Sequence, residues 1–139
     1  MSNLEANKAV ARQYFELIAA GDAEGTANLF TEDGKLMVMG KTLLPEVTVG
    51  REAIKQMIAA LPQLFPETGL KVIPDIFTAE DDRVAVIAHS EAVHVSEKPY
   101  NNRYHFLLII RDGKIAESRE FMDTLLVTNV FFDGAQPEG

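Results

Sequence analysis

Tyr104-His105-Phe106-Leu107-Leu108-Ile109-Ile110-Arg111-Asp112-Gly113-Lys114-Ile115 decides the fold, and it runs on through Glu117-Ser118-Arg119-Glu120-Phe121-Met122-Asp123-Thr124. Two apolar runs flank Asp112-Gly113. A tight hairpin needs φ > 0 at both central residues, and Asp-Gly supplies that at little steric cost. The first arm is apolar from Phe106 to Ile110, the pattern of a strand buried on both faces. The second arm places Arg119, Glu120 and Asp123 at the end of a strand expected to be half-buried. Two explanations stand for the carboxylates. They are an exposed strand end paired locally with Arg119 or Arg103, or they form the polar floor of an apolar pocket. In a pocket, loss of water raises a carboxyl pKa toward neutrality and makes the group a useful acid or base.

Upstream of the hairpin the period changes. Ala6, Val10, Tyr14, Leu17 and Ile18 recur at helical spacing over residues 4 to 20, predicting an amphipathic helix. Gly21 suits its C-cap, and Asp22 suits the N-cap of a second short helix reaching Leu29-Phe30. Thr31-Glu32-Asp33-Gly34 reads as a turn, Leu36 to Met39 as a short strand, and Lys41 to Gly50 as a loop and candidate lid. A third helix starts at Arg51 with Ile54, Met57, Ile58, Leu61 and Phe65 on one face, bent or ended by Pro62. From Leu70 the pattern is extended. A strand runs to Thr78 with Pro74 marking an edge or a bulge, and a turn at Glu80-Asp81-Asp82 leads into a long strand from Arg83 to Val95. Thr124 to Phe132 is an apolar tail, either a last strand or a short packed helix, and Asp133 to Gly139 is expected to fray. Helices first and paired strands afterwards predict a single α+β domain over residues 1–139, a curved antiparallel or mixed sheet wrapped around three N-terminal helices.

Composition narrows the function classes. With 139 residues, 47% hydrophobic and 24% charged, the chain has the makeup of one globular domain with a real core. It contains no Cys, which removes disulfides, thiolate nucleophiles and sulfur-ligated metals. The formal charge of −8 disfavours nucleic acid and anionic membrane surfaces, both of which need clustered Lys and Arg. The polar start Met1-Ser2-Asn3-Leu4-Glu5 lacks the features of a secretory signal, and a cytoplasmic location is expected. The three His match no zinc spacing, no carboxylate run forms a calcium loop, and no glycine-rich phosphate loop is present. Neither a metal nor a nucleotide cofactor is expected.

The residues carry a family resemblance over nearly the whole chain. Asp112-Gly113-Lys114-Ile115 followed by Arg119-Glu120-Phe121-Met122-Asp123-Thr124 resembles the closing hairpin of the nuclear transport factor 2-like superfamily, in its SnoaL-like, ketosteroid isomerase-related branch. Tyr14-Phe15-Glu16-Leu17 with Gly21-Asp22, Gly50-Arg51-Glu52-Ala53-Ile54 opening the third helix, and Tyr100-Asn101-Asn102-Arg103-Tyr104 entering the hairpin fit the same family. The resemblance implies a cone-shaped, cystatin-like α+β barrel around a deep apolar cavity, packed as a homodimer through the sheet. This fold hosts isomerases, cyclases, dehydratases, epoxide hydrolases and non-catalytic binders. Tyr14 falls where ketosteroid isomerase-like members keep the phenol of their oxyanion hole, whereas their general-base Asp falls near Val38, which takes no proton. Their second oxyanion acid falls at about His105 or Phe106. Asp123 falls where SnoaL-like cyclases and limonene-epoxide-hydrolase-like enzymes keep a catalytic Asp, and His89-Ser90-Glu91 stands roughly where the latter keep an Arg-x-Asp pair. Glu120 resembles the acid/base Glu of the phenazine-biosynthesis members.

Each candidate has two readings. Tyr14 is a core phenol with a backbone partner, or a donor to a developing enolate oxygen. Glu120 and Asp123, three apart, face opposite sides of a regular strand, so one lines a pocket unless a bulge re-aims the chain. His89 and Glu91 share a face, as an oriented general base or as a polar outer face, while His94 on the other face is expected to be solvated. His105 shares a face with Leu107 and Ile109, as a core or pocket residue. Arg103 holds an anionic substrate group or bridges to Glu120. Val38, Met57, Phe106 and Leu108 are the candidate apolar lining, beside Glu91 and Arg103. The expected function is a cofactor-free enzyme of the isomerase, cyclase or dehydratase type acting on a hydrophobic carbonyl-bearing or cyclic compound. The competing readings are an epoxide hydrolase-like enzyme and a non-catalytic ligand-binding or dimerisation module. What separates the first from the last is whether a carboxylate and a donor converge inside the cavity.

Overall fold

The Asp112-Gly113 turn forms as its sequence dictates, with φ of 50° and 77°, and joins β5 (Arg103–Arg111) to β6 (Lys114–Met122). The computed structural model describes residues 3–138. Around this hairpin lies a curved, unclosed mixed sheet of six strands in the order β2-β1-β6-β5-β4-β3. Its other strands are β1 (Phe30–Val38), β2 (Val47–Val49), β3 (Lys71–Glu80) and β4 (Arg83–Glu91). β1 runs parallel to β6 and every other pair is antiparallel. Helices α1 (Asn3–Ala19), α2 (Ala23–Asn28), α3 (Arg51–Ala59) and the short α4 (Leu61–Leu64) precede the long strands, and α5 (Thr124–Phe132) closes the chain. Residues 133–138 carry no helix or strand, and Gly139 lies outside the described residues.

The two faces of the sheet follow from register. Phe77, Val86, Phe106, Glu120 and Val38 are Cα partners in one row across β3, β4, β5, β6 and β1. This row faces the helices, and Val86, Phe106 and Val38 in it are buried. The next row, Ile76, Ile87, His105 and Phe121, faces away, and all four residues are exposed. β5 is therefore buried on one face only. Phe106, Leu108 and Ile110 are covered, whereas Leu107 and Ile109 are half-exposed, contrary to the expectation of burial on both sides.

Several local expectations meet a physical answer. Asp22 caps α2, its carboxylate accepting from the Gly25 N–H at 2.8 Å. Pro74 lies on the edge strand β3, beside a register shift between Pro74 and Ile76, where a missing N–H costs least. Thr31 to Gly34 do not end the chain's extension: they lie within β1, and the partner register on β6 jumps from Ile115 opposite Phe30 to Glu117 opposite Lys35. β4 stops at Glu91, and only an isolated bridge between Val93 and Pro99 continues the pairing. Among the described residues no helix is long and apolar enough to cross a membrane.

Candidate active site

Between the inner face of the sheet and the helices lies a cavity of about 220 Å³. The sheet contributes Leu36, Val38, Val72 and Phe106 to its wall, α1 contributes Tyr14 and Ile18, and α3 contributes Met57 and Ile58. α5 turns back over it with Phe131, and Leu44 and Pro45 reach it from the loop after β1. That loop enters at Gly40 with φ 96°, where a Cβ would stand 2.7 Å from the Thr124 Cγ2 at the start of α5. Only glycine lets the loop approach α5 this closely.

Against this apolar wall the polar groups are few, and they converge. Glu120 is the one carboxylate lining the cavity among the described residues, no Lys or Arg lines it, and all three tyrosines of the sequence do: Tyr14, Tyr100 and Tyr104. Protein surrounds the Glu120 carboxyl, and water reaches it through the cavity. Burial pushes its pKa from 4.5 up to about 7, the poise at which a carboxyl both takes and gives a proton near neutral pH. Burial also raises the pKa of each of the three phenols, and the Glu120 charge adds to the rise at each. All three therefore stay protonated as hydrogen-bond donors. The Ser118 hydroxyl, on the same face of β6 as Glu120, lies close enough to act on Tyr14, though not in well-formed hydrogen-bond geometry.

Tyr100 and Tyr104 are held by a closed network at the entry to β5. Asn102 Oδ1 accepts from the backbone N–H of Arg103 at 2.7 Å and of Asp123 at 3.1 Å. The same amide donates through Nδ2 to the Tyr100 hydroxyl at 3.1 Å and to the Asp123 carbonyl at 3.2 Å. Ser90 Oγ donates to the Tyr100 carbonyl at 3.0 Å and accepts the Asn102 N–H at 2.8 Å. The Tyr104 hydroxyl reaches the Tyr100 hydroxyl at 3.2 Å, with Ser90 Oγ farther off at 3.4 Å. Asn102 and Ser90 are each 1% exposed, so these polar atoms depend on one another for satisfaction.

Of the residues singled out from sequence, Glu120, Tyr14, Val38, Met57 and Phe106 meet at the cavity. The others lie elsewhere. Asp123 caps α5: its Oδ1 accepts from Leu125 N–H at 3.1 Å and Leu126 N–H at 3.3 Å, on an exposed residue. His105 and Arg103 point outward from odd positions of β5 and are exposed, and Leu108 is fully buried in the core without lining the cavity. His89 and Glu91 also face outward. His89 Nδ1 lies 2.8 Å from Asp75 Oδ2 and its Nε2 lies 3.6 Å from Glu91 Oε1, and the Asp75 hydrogen bond raises its pKa. His94, expected in solvent, is buried. Its ring packs against Phe65 and Phe131 and its Nδ1 pairs with Ser96 Oγ at 2.8 Å. Among the described residues no group of three His, Asp or Glu is placed to hold a metal. Tyr100 and Tyr104, held in place by Asn102 and Ser90, carry the polar end of the cavity without having been singled out as site residues. The available signal was parity, since Tyr104 shares its face with Phe106.

The fold has counterparts. A family model described as the SnoaL-like domain matches residues 11–118. Bal32a, from a soil-derived mobile gene cassette, superposes with a TM-score of 0.81 at 20% identity, over 94% of this chain and 98% of that one. A nuclear transport factor 2-like protein of unknown function from Burkholderia pseudomallei K96243 gives 0.82 at 16% identity, over 95% and 99%. A candidate SnoaL-like polyketide cyclase from Jannaschia sp. CCS1 gives 0.73 at 22% identity, over 99% and 98%. At these identities the likeness is one of fold. No curated protein matches the sequence.

Proposed function

The chain belongs to the SnoaL-like domain family, and from the contents of its cavity we propose that it is a cofactor-free enzyme moving a proton on a hydrophobic, carbonyl-bearing or cyclic small molecule. One observation carries the reading. A single carboxyl, poised at about 7 by burial, faces three protonated phenols in an otherwise apolar cavity. Glu120 takes a proton from the carbon next to the carbonyl, the developing enolate oxygen is held by a phenol, and Glu120 returns the proton elsewhere. Isomerisation, aldol-type cyclisation and dehydration all follow from that step. The convergence of carboxylate and donors favours this reading over a binding module, whose cavity needs no titratable group. Asp123 enters the reading through the helix cap, since its carboxylate is engaged there. We also infer a homodimer through the outer face of the sheet.

Proton transfer is testable before the natural substrate is known. One-ring ketones incubated in D2O exchange the hydrogens next to their carbonyl, and NMR follows the loss of proton signal. Wild-type protein is expected to accelerate exchange, with Glu120→Gln slower by roughly 10²-fold or more. Because a base works in its ionised form, the rate should rise with pH and level off above about 7. A panel in which wild type and Glu120→Gln behave alike would sink the reading.

A further inference from the structure

The Tyr100 hydroxyl lines the cavity with its oxygen held by two donors and its hydrogen left to a weak partner. Its oxygen accepts from Asn102 Nδ2 at 3.1 Å and from Tyr104 at 3.2 Å, which occupies both acceptor positions of a phenol. The Asn102 amide cannot turn over to relieve this, because its oxygen already holds two backbone N–H groups. Tyr104 lies nearer to Tyr100 than to Ser90 Oγ, at 3.2 Å against 3.4 Å. With Tyr104 donating to it, the Tyr100 O–H turns outward, toward the Met122 sulfur at 4.0 Å, a weak acceptor on the cavity wall. Two incoming hydrogen bonds polarise a hydroxyl and strengthen it as a donor, and here they oppose the rise that burial gives its pKa.

Size and charge limit what can use that donor. A dry apolar cavity of about 150 Å³ holds benzene. By proportion, about 220 Å³ holds one six-membered ring and roughly three further non-hydrogen atoms. No cation lines the wall to neutralise an anion, and Glu120 repels one. We propose that Tyr100 is the ligand-binding donor of the cavity, held and polarised by Asn102 and Tyr104, and that it receives the carbonyl oxygen of a neutral one-ring compound in place of Met122. The proposal deepens the reading above, adding the oxygen subsite and the ligand size to the proton transfer by Glu120.

Acetophenone, labelled with ¹³C at its carbonyl, has the right size and charge as a probe. With wild-type protein the bound carbonyl resonance is expected to move downfield, as it does when a carbonyl accepts a strong hydrogen bond. Tyr100→Phe should abolish that displacement and weaken binding by roughly tenfold or more, whereas Tyr14→Phe should keep the displacement. Glu120→Gln should also keep it while losing exchange of the methyl hydrogens, so that failure of proton transfer and failure of the oxygen subsite are separate results. A displacement that persists in Tyr100→Phe, or that vanishes in Tyr14→Phe instead, overturns the assignment. Binding of ketones with several fused rings in preference to acetophenone overturns the size limit. Should Tyr100→Phe not fold, wild-type protein labelled at tyrosine Cζ decides. It has three resonances, two assigned through Tyr14→Phe and Tyr104→Phe, and the remaining one must move most when unlabelled acetophenone binds.

Discussion

Glu120 costs stability at the pH where it is most useful. Unfolded, its carboxyl titrates at 4.5, and folded, at about 7. Below 4.5 both states are neutral and the group adds no difference. As pH rises the unfolded chain ionises first, so stability falls until the folded carboxyl has also ionised above about 7. The gap corresponds to about 3 kcal/mol at 1.36 kcal/mol per pH unit. Glu120→Gln removes this titration. Its melting temperature relative to wild type is therefore expected to climb between about pH 5 and pH 8 and then to stay level, with the amide's own fit in the cavity setting a constant offset. Parallel pH profiles for the two proteins in thermal melts would mean that the carboxyl is not buried as described. The same substitution slows proton transfer in the proposed function, so stability and activity should move in opposite directions with pH at one residue.

At the scale of elements, the hairpin explains why Glu120 and not its neighbour faces the cavity. A regular two-residue turn pairs Ile110 with Ile115 and Arg111 with Lys114, and extrapolating that register would set Arg119 opposite Phe106. Beyond Ile109 the register slips by one, leaving Ala116 unpaired and Glu120 opposite Phe106. One inserted residue exchanges the two faces of a strand. Asp-Gly and the flanking apolar runs make the hairpin legible, but no residue type announces the bulge, so the sequence leaves the orientation of Glu120 open. The Asn102 network was hidden for a related reason. Residues 92 to 102 form an irregular return in which hydrogen bonds, with no hydrophobic period, fix the geometry. The end of β6 was legible in part, since parity separates Glu120 from Asp123, but the strand stops at Met122 and Asp123 becomes a helix cap. This makes a prediction that divides the two roles. Asp123→Asn should keep both stability and ketone exchange, because Asn caps nearly as well as Asp, whereas Asp123→Ala should lose about 1 kcal/mol in denaturant melts. Loss of exchange in Asp123→Asn with stability unchanged would instead assign the carboxylate a chemical role.

For the whole molecule, the sheet has one face occupied and one to spare. Helices and cavity use the inner side. On the outer side Ile76, Ile87, His105 and Phe121 stand in one row across four strands, and Ile76, Ile87 and Phe121 are 54%, 47% and 46% exposed. Leu107 and Ile109 sit half-exposed on the same side of β5. Apolar side chains grouped in this way suit a contact surface. Around it stand both signs of charge, with Arg103 and Arg119 facing outward alongside Glu91 and Glu117, so the face can complement a second copy of itself about a two-fold axis. The proposed homodimer would pack there and would cover the second face of β5, which is open in the single chain. Light scattering coupled to size exclusion should then report about twice the 15.4 kDa chain mass at micromolar protein. Ile87→Lys places a charge at the centre of the row and should bring the mass down to that of one chain. It should leave acetophenone binding in place, because the side chain points away from the cavity. A wild-type protein that is monomeric throughout that concentration range would refute the dimer. An Ile87→Lys protein that is monomeric but no longer binds ligand would show that the dimer supports the shape of the cavity through the sheet.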